Sequence, residues 1–269
     1  MKKVLSGLLL SLLSAVALAA SKTPPVLESL VSSGGVLVKS FPAAAGLTGW
    51  VVKPQQDGPP RIVYTSADGK YLIVGRLIDA SGKDLTDQYT STMVDQPDPA
   101  KYWAQVQQSA YVVEGAKNPK AVMYVFMDPN CIYCHLLWKG LQPYEKAGLQ
   151  VRWIPVGILK PDSVGMAAAL LESKDADGLM HQLETKYQES SESGGIAPVD
   201  VSPAMGAKLA TNLKLMQQMG LFGTPSIVFK DAGSGKVDEI QGLPRLTDIA
   251  KITGLPAQAE MDPELARFQ

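Results

Sequence analysis

The chain has 269 residues, 46% apolar and 19% charged, with 25 Lys and Arg against 26 Asp and Glu. That length and apolar share suit one large packed domain or two modest ones, and a formal charge of −1 lacks the basic footprint of a nucleic-acid binder. Glycine and proline, 24 and 19 residues, are near average use, so the chain does not read as disordered.

Met1-Lys2-Lys3 is a short positive start, and the run that follows, residues 4–20, is apolar except for Ser6, Gly7, Ser11 and Ser14. Ala17 and Ala19 are small residues placed for cleavage after Ala19, so residues 1–19 read as a signal peptide. The run is shorter and more polar than the roughly 20 apolar residues of a spanning helix. Its removal leaves 23 bases against 26 acids.

Pro24-Pro25 opens a short helix over 26–33, stopped by Gly34-Gly35. Residues 36–39, 47–53, 61–65 and 71–78 read as strands, the last two joined by a turn at Asp68-Gly69, and a second turn lies at Ala80-Ser81-Gly82. So small a sheet is thin as a self-sufficient domain, which suggests association. Asp98-Pro99 has the form of a cap followed by proline at the first helical position. Trp103, Val106, Ala110 and Val113 then recur on one helical face, giving a connecting helix over 98–114.

The second half changes pattern. Residues 121–127 form a continuous apolar run, as in a strand buried on both faces. Residues 131–147 read as a helix that Pro143 kinks or breaks. A strand follows at 151–156, a helical stretch at 162–220 interrupted by a Ser/Glu/Gly loop at 188–195, paired strands at 226–229 and 237–241, and a closing helix at 246–253. The order is that of a layered α/β domain.

Only two cysteines occur, Cys131 and Cys134, three apart. A bridge across so short a loop constrains little of the unfolded chain, so the pair points to chemistry. Cys131 falls where the buried strand gives way to the helix, and unsatisfied N–H groups with the macrodipole favour its thiolate there. Cys134 lies one turn on and more shielded, which separates an attacking thiol from a resolving one. Asp128 adds opposing negative charge, weaker than a dipole aimed at the sulfur. Gly223-Thr224-Pro225-Ser226 precedes a strand. Taken alone its X-Pro bond reads as trans; with the cysteine pair beside it, the reading turns to cis.

The run Phe126-Met127-Asp128-Pro129-Asn130-Cys131-Ile132-Tyr133-Cys134, with Leu137-Trp138, resembles the periplasmic thiol:disulfide interchange proteins, most closely the DsbG type. The resemblance continues through Val156-Gly157-Ile158-Leu159-Lys160-Pro161-Asp162-Ser163, Leu171-Glu172-Ser173-Lys174-Asp175, Thr224-Pro225 and Gly242-Leu243-Pro244. It implies an α+β protein: a small antiparallel-sheet dimerisation domain (20–96), a linker helix (97–117), a thioredoxin-like α/β domain with a helical insertion (118–257) and a tail (258–269). It further implies a periplasmic homodimer in which Cys131 and Cys134 form the redox-active pair and Tyr133, Thr224 and Pro225 meet substrate. The pair would be kept reduced by a membrane electron donor of the DsbD type. Substrates would be oxidised or misfolded exported proteins, with disulfides or sulfenic acids as targets, and neither cofactor nor metal is required. Two departures stand out. Ile132 replaces the proline usual in the DsbG type, and Val125 stands where thioredoxin proper keeps a buried acid.

Three rivals remain within the sequence. A DsbA-like oxidase shares the thioredoxin fold but has no need of residues 24–114. Cys131-Ile132-Tyr133-Cys134-His135 fits the attachment pattern of a c-type cytochrome, with His135 as the haem ligand. A zinc site would draw on Cys131, Cys134, His135 and His181. His135 otherwise reads as a partly exposed helix residue able to favour the Cys131 thiolate when protonated. Chaperone activity is a possible addition, with Met93, Tyr102 and Trp103 lining a cleft.

Overall fold

The structure, a computed structural model, describes residues 23–54, 60–95, 97–259 and 262–268. The expected signal peptide lies outside the described residues. A 3-10 turn, Pro25–Leu27, leads into α1 (Glu28–Ser32). Strands β1 (Val36–Pro42), β2 (Thr48–Lys53), β3 (Arg61–Thr65) and β4 (Leu72–Ile73) then form an antiparallel sheet in sequential order. The β3–β4 turn forms where Asp68-Gly69 places it: Gly69 sits at φ 67° and its N–H donates to Ser66 O at 2.9 Å.

Both faces of this sheet are covered. Trp50, Val52 and Val63 pack under Leu27 on one side. On the other, Val51, Ile62 and Tyr64 pack with Tyr89 and Met93 of a helix absent from the sequence reading, α2 (Leu85–Met93). Asp84 caps α2 by accepting from Asp87 N at 3.0 Å. The same helix shortens the strand expected over 71–78. Leu77 N donates to Thr86 Oγ1 at 2.7 Å and Leu77 O accepts from Leu85 N at 2.8 Å, while Arg76 pairs with Asp84 and Asp87. Residues beyond Ile73 thus serve α2 instead of the sheet.

The connecting helix expected over 98–114, placed within a linker segment at 97–117, is corrected. A 3-10 turn, Pro99–Tyr102, continues into α3 (Trp103–Gln108), and Val112–Gly115 is a strand, β5. Asn212, far along the chain, decides the outcome. Its amide accepts from Ala110 N at 3.2 Å and donates to Ala110 O at 2.9 Å and to Pro155 O at 3.0 Å. The backbone groups that would continue the helix are therefore taken, and Val113 is exposed on a strand. Tyr102 and Trp103 pack, half-buried, against the second domain's core, and Met93 against the first.

The second sheet contains β5, β6 (Ala121–Met127), β7 (Leu149–Pro155), β8 (Ser226–Lys230) and β9 (Val237–Gln241) in the order β5-β7-β6-β8-β9. Only β6 and β7 run parallel. Met123, Val125 and Met127 face one core with Leu137 and Leu141 of α4 (Ile132–Ala147), which runs unbroken through Pro143. Two helices of the insertion, α5 (Ser163–Glu172) and α6 (Ala176–Thr185), also feed this core through Met166, Leu170, Met180 and Leu183. Tyr124 and Phe126 face the other core, with Val106 of α3 and Leu215 and Met216 of α7 (Pro203–Gln218). Helix α8 (Leu246–Thr253) closes the first face through Ile249 and Ile252. Burial of β6 from both sides is what its uninterrupted apolar sequence requires. No helix among the described residues is long and apolar enough to cross a membrane.

One core strand carries an acid. Glu114 of β5 is buried, accepts from Trp138 Nε1 at 3.1 Å, and is pushed up to about 8, by burial first and then by the nearby Glu145 carboxyl. A carboxyl whose folded pKa exceeds its unfolded value contributes stability below the unfolded pKa and loses it as pH rises through the folded one. Glu114→Gln is therefore expected to match the parent in urea unfolding near pH 4 and to exceed it in midpoint above pH 8. Parallel midpoints across that range would contradict the assignment.

Candidate active site

Strand β6 ends at Met127, and the three residues before Cys131 set the chain for a helix. Asp128 is buried, and both its oxygens are engaged: Oδ1 accepts from Asn130 N at 2.9 Å and Ser163 Oγ at 2.8 Å, and Oδ2 from Ile158 N at 2.7 Å and Leu159 N at 3.0 Å. Its charge is thus answered by the scaffold and does not stand free against the sulfur. Asn130 extends the framework, donating to Asp162 Oδ1 and Ser163 Oγ, each at 3.0 Å, and accepting from Gly194 N at 3.2 Å.

Cys131 is the N-cap of α4, with extended backbone (φ −84°, ψ 113°). Its sulfur accepts from Cys134 N at 3.3 Å, while its carbonyl accepts from Cys134 N at 3.0 Å and His135 N at 3.1 Å. A sulfur at an N-cap takes the place of the oxygen that ordinarily caps a helix, and orphan N–H groups favour its anion. The Cys131 thiol is held below its ordinary range, first by hydrogen bonding with the Cys134 thiol, with the Thr224 hydroxyl and backbone N–H groups adding to this against burial. Burial pushes the Cys134 thiol well above its ordinary range, and the neighbouring Cys131 reinforces the rise. Both cysteines are free thiols. The pair therefore presents one sulfur suited to be a thiolate and holds the other as a thiol beneath it.

Thr224 and Pro225 come to this point from the far side of the insertion. The Thr224–Pro225 peptide is cis. Cys131 Sγ donates to Thr224 O at 3.1 Å, and Pro225 O accepts from Gly242 N at 2.8 Å. The Thr224 hydroxyl is buried without a hydrogen-bond partner, and its nearness lowers both thiols. Tyr133 points outward, 51% exposed, and Leu159 and Phe222 are exposed as well.

His135 is not where the sequence reading puts it. It is buried, its Nδ1 lies 2.9 Å from Glu184 Oε2, and its ring is stacked on Tyr187 at 4.5 Å and 9°. The partly exposed placement therefore fails, and among the described residues no group of three or more His, Cys, Asp or Glu side chains is placed to hold a metal ion, so the four residues named for a zinc site do not come together as one. His181 lies on the surface of α6 with its ring edge-on to Trp138 at 5.7 Å. Val125 is fully buried in the apolar core, so no acid stands beneath the cysteines at that position. The sequence reading missed Glu184, Tyr187 and the linking role of Asp128, Asn130 and Ser163. A Glu within an otherwise apolar helical stripe, Met180-Leu183-Glu184, is the one signal that marked any of them.

Residues 106–255 match the family described as a thioredoxin-like domain, and residues 19–87 that described as the disulfide bond isomerase protein N-terminal domain. The chain is 36% identical over 251 residues to thiol:disulfide interchange protein DsbG of Pseudomonas aeruginosa, covering 92% of this chain and 95% of that one. To DsbG of Escherichia coli it is 32% identical over 249 residues, covering 91% and 95%. To DsbC of Pasteurella multocida it is 31% identical over 232 residues, covering 85% and 90%.

Removing the Thr224 hydroxyl while keeping its shape tests the electrostatics of the pair. Thr224→Val is expected to raise the pH midpoint of Cys131 thiolate formation, followed by absorbance of the reduced protein near 240 nm, by about half to one unit. An unmoved midpoint would show that the hydroxyl has no part in holding the anion.

Proposed function

This chain belongs to the thiol:disulfide interchange proteins of the DsbG type, and from that membership we propose that it reduces or isomerises oxidised cysteines of exported proteins, with Cys131 attacking and Cys134 resolving. The observation that carries the assignment of roles is the opposed setting of the two thiols, one lowered at the start of α4 and the other raised beneath it. Thiol–disulfide exchange requires a thiolate to attack and a second thiol to release the product.

In the first step the Cys131 thiolate attacks one sulfur of a substrate disulfide. A mixed disulfide forms and the other substrate sulfur leaves as a thiolate. In isomerisation that thiolate, or another on the substrate, attacks the mixed disulfide and frees Cys131. In reduction Cys134 gives up its proton and attacks Cys131, so the substrate leaves reduced and the pair is left oxidised. With a sulfenic acid as target, Cys131 attacks the oxidised sulfur and water leaves. Each reductive turnover oxidises the pair by two electrons, so an electron donor must return them; a membrane donor of the DsbD type is the partner we assign. Tyr133, Thr224 and Pro225 line the approach to Cys131, and exposed Leu159 and Phe222 widen it into an apolar surface suited to unfolded segments.

The N-terminal sheet is read as the homodimer contact: β1 is an edge strand and exposes Val36 and Val38. The periplasm is read from the cleavable start of the chain, and chaperone activity would accompany the apolar approach. The oxidase reading is less favoured because the isomerase-type N-terminal domain precedes the thioredoxin-like one.

Intact mass after acid quenching and alkylation of whole cells, with no added reductant, tests the assignment. Two alkyl groups per chain, on a mass beginning at Ala20, are expected for a pair held reduced in an oxidising compartment. A chain that takes up label only after reduction would overturn the reductase assignment in favour of an oxidase. Cys134→Ala should accumulate reductant-sensitive adducts with exported proteins, and Cys131→Ala should not.

A further inference from the structure

Helix α4 carries its chemistry at its start: Cys131 is the N-cap and Ile132 the first helical residue. The Cys131 sulfur relies on the amides of Tyr133 and Cys134, which serve it only while this first turn keeps its place. A proline at the first helical position would bring a φ already fixed for the helix. Ile132 has no such restraint, so its turn is held by packing.

That packing comes from the far end of the chain. Beyond α8 the chain runs along α4, and its contacts climb the helix in order. Gln258 N donates to Tyr144 Oη at 3.4 Å. Lys139, nearer the start of the helix, pairs with Asp262 at 2.6 Å and also with Glu264. In the 3-10 helix Pro263–Phe268, Leu265 is fully enclosed and packs with Leu136 and Leu246, and Ile132 and Leu243 pack against that cluster. Leu246 is itself seated closely on α4: a Cβ at Gly140 would lie 2.6 Å from its Cδ2. The leucine is the stronger of the two anchors, because partly exposed ion pairs are screened and buried apolar surface is not.

We propose that the C-terminal segment is a strap on the catalytic helix, with Leu265 a positioning residue: through Leu136 and Ile132 it holds the first turn of α4 so that the amides of Tyr133 and Cys134 stay aimed at the Cys131 sulfur. This rests on the reading of Cys131 as the nucleophile. Releasing the strap loosens the turn, weakens the donors of the thiolate and leaves the thiol less acidic. The anion belongs to the reduced pair, so its loss also tilts exchange with an external disulfide toward the oxidised pair.

The test uses the full-length protein in four forms: parent, Leu265→Ala, Ile132→Pro and the double variant. Two quantities are read, the pH dependence of Cys131 alkylation in the reduced protein and the equilibrium of the pair with glutathione. In Leu265→Ala the alkylation rate below the Cys131 midpoint is expected to fall about two- to fivefold, the range of an interaction at a helix end, with the curves converging at high pH. Its equilibrium with glutathione is expected to move toward the disulfide by about the same factor. Proline at 132 suits the extended backbone of Cys131 and removes neither amide that serves the sulfur. It restrains the turn from within, so in that background Leu265→Ala should change neither quantity. Should Leu265→Ala fail to fold, Leu265→Val, a smaller cut at the same contact, is read the same way. A lower melting temperature with both quantities unmoved would make the segment a stabilising contact only and overturn the proposal, as would equal losses in the two backgrounds. A parent whose Cys131 titrates as an ordinary thiol would overturn the nucleophile assignment; a lowered parent midpoint that ignores Leu265 overturns the strap alone.

Discussion

A carboxylate withdrawn from water must be met by donors, because its lost hydration costs several kcal/mol. Asp128 meets that demand with four, and they come from three stretches of chain: the turn at Asn130, the loop at Ile158 and Leu159, and Ser163 at the start of α5. Satisfying one buried charge therefore fixes the loop before Cys131, the exit of β7 and the root of the insertion in one geometry. Asn130 passes the constraint outward to Asp162 and Gly194. The sulfur at the N-cap depends on all of it. Its N–H partners stay aimed only if the first turn of α4 cannot drift.

Within that frame the two thiols are made unequal by position alone. Cys131 sits where a helix offers unpaired donors, and Cys134, one turn in, sits in apolar surroundings that penalise charge. Of the side chains between them, Ile132 packs toward Leu136, Leu246 and Leu265, and Tyr133 faces outward. Thr224 meets the pair from above, and the insertion brings Tyr187 and Glu184 against the helix face below.

Elements with strong local signals were legible in the sequence. The apolar run of β6, the Asp68-Gly69 turn, the Asp98 cap before Pro99 and the cysteine pair each carry their own physical reason within a few residues. Elements decided by distant partners were not. Helix α2 is mostly polar, and it is attached to the sheet it covers by Tyr89, Met93 and the Thr86 hydroxyl, 2.7 Å from that of Tyr64. The helical face through Val113 is a sound local reading that Asn212, 102 residues from Ala110, overrules. His135 has no local mark of burial, because the carboxylate that holds it lies 49 residues on. The fold class and the sulfur chemistry could be read from one segment at a time; the surroundings that set the sulfurs' protonation could not.

The Asn212 clamp also says where the molecule divides. Ala110 is bound to α7 and, through the same amide, to the end of β7, so the chain is already part of the catalytic unit before β5 begins. A fragment cut at residue 118 would discard β5, strip the edge of β7 and take Glu114 from Trp138. A severable catalytic unit has to start upstream of α3, in the short stretch between Val94 and Asp98.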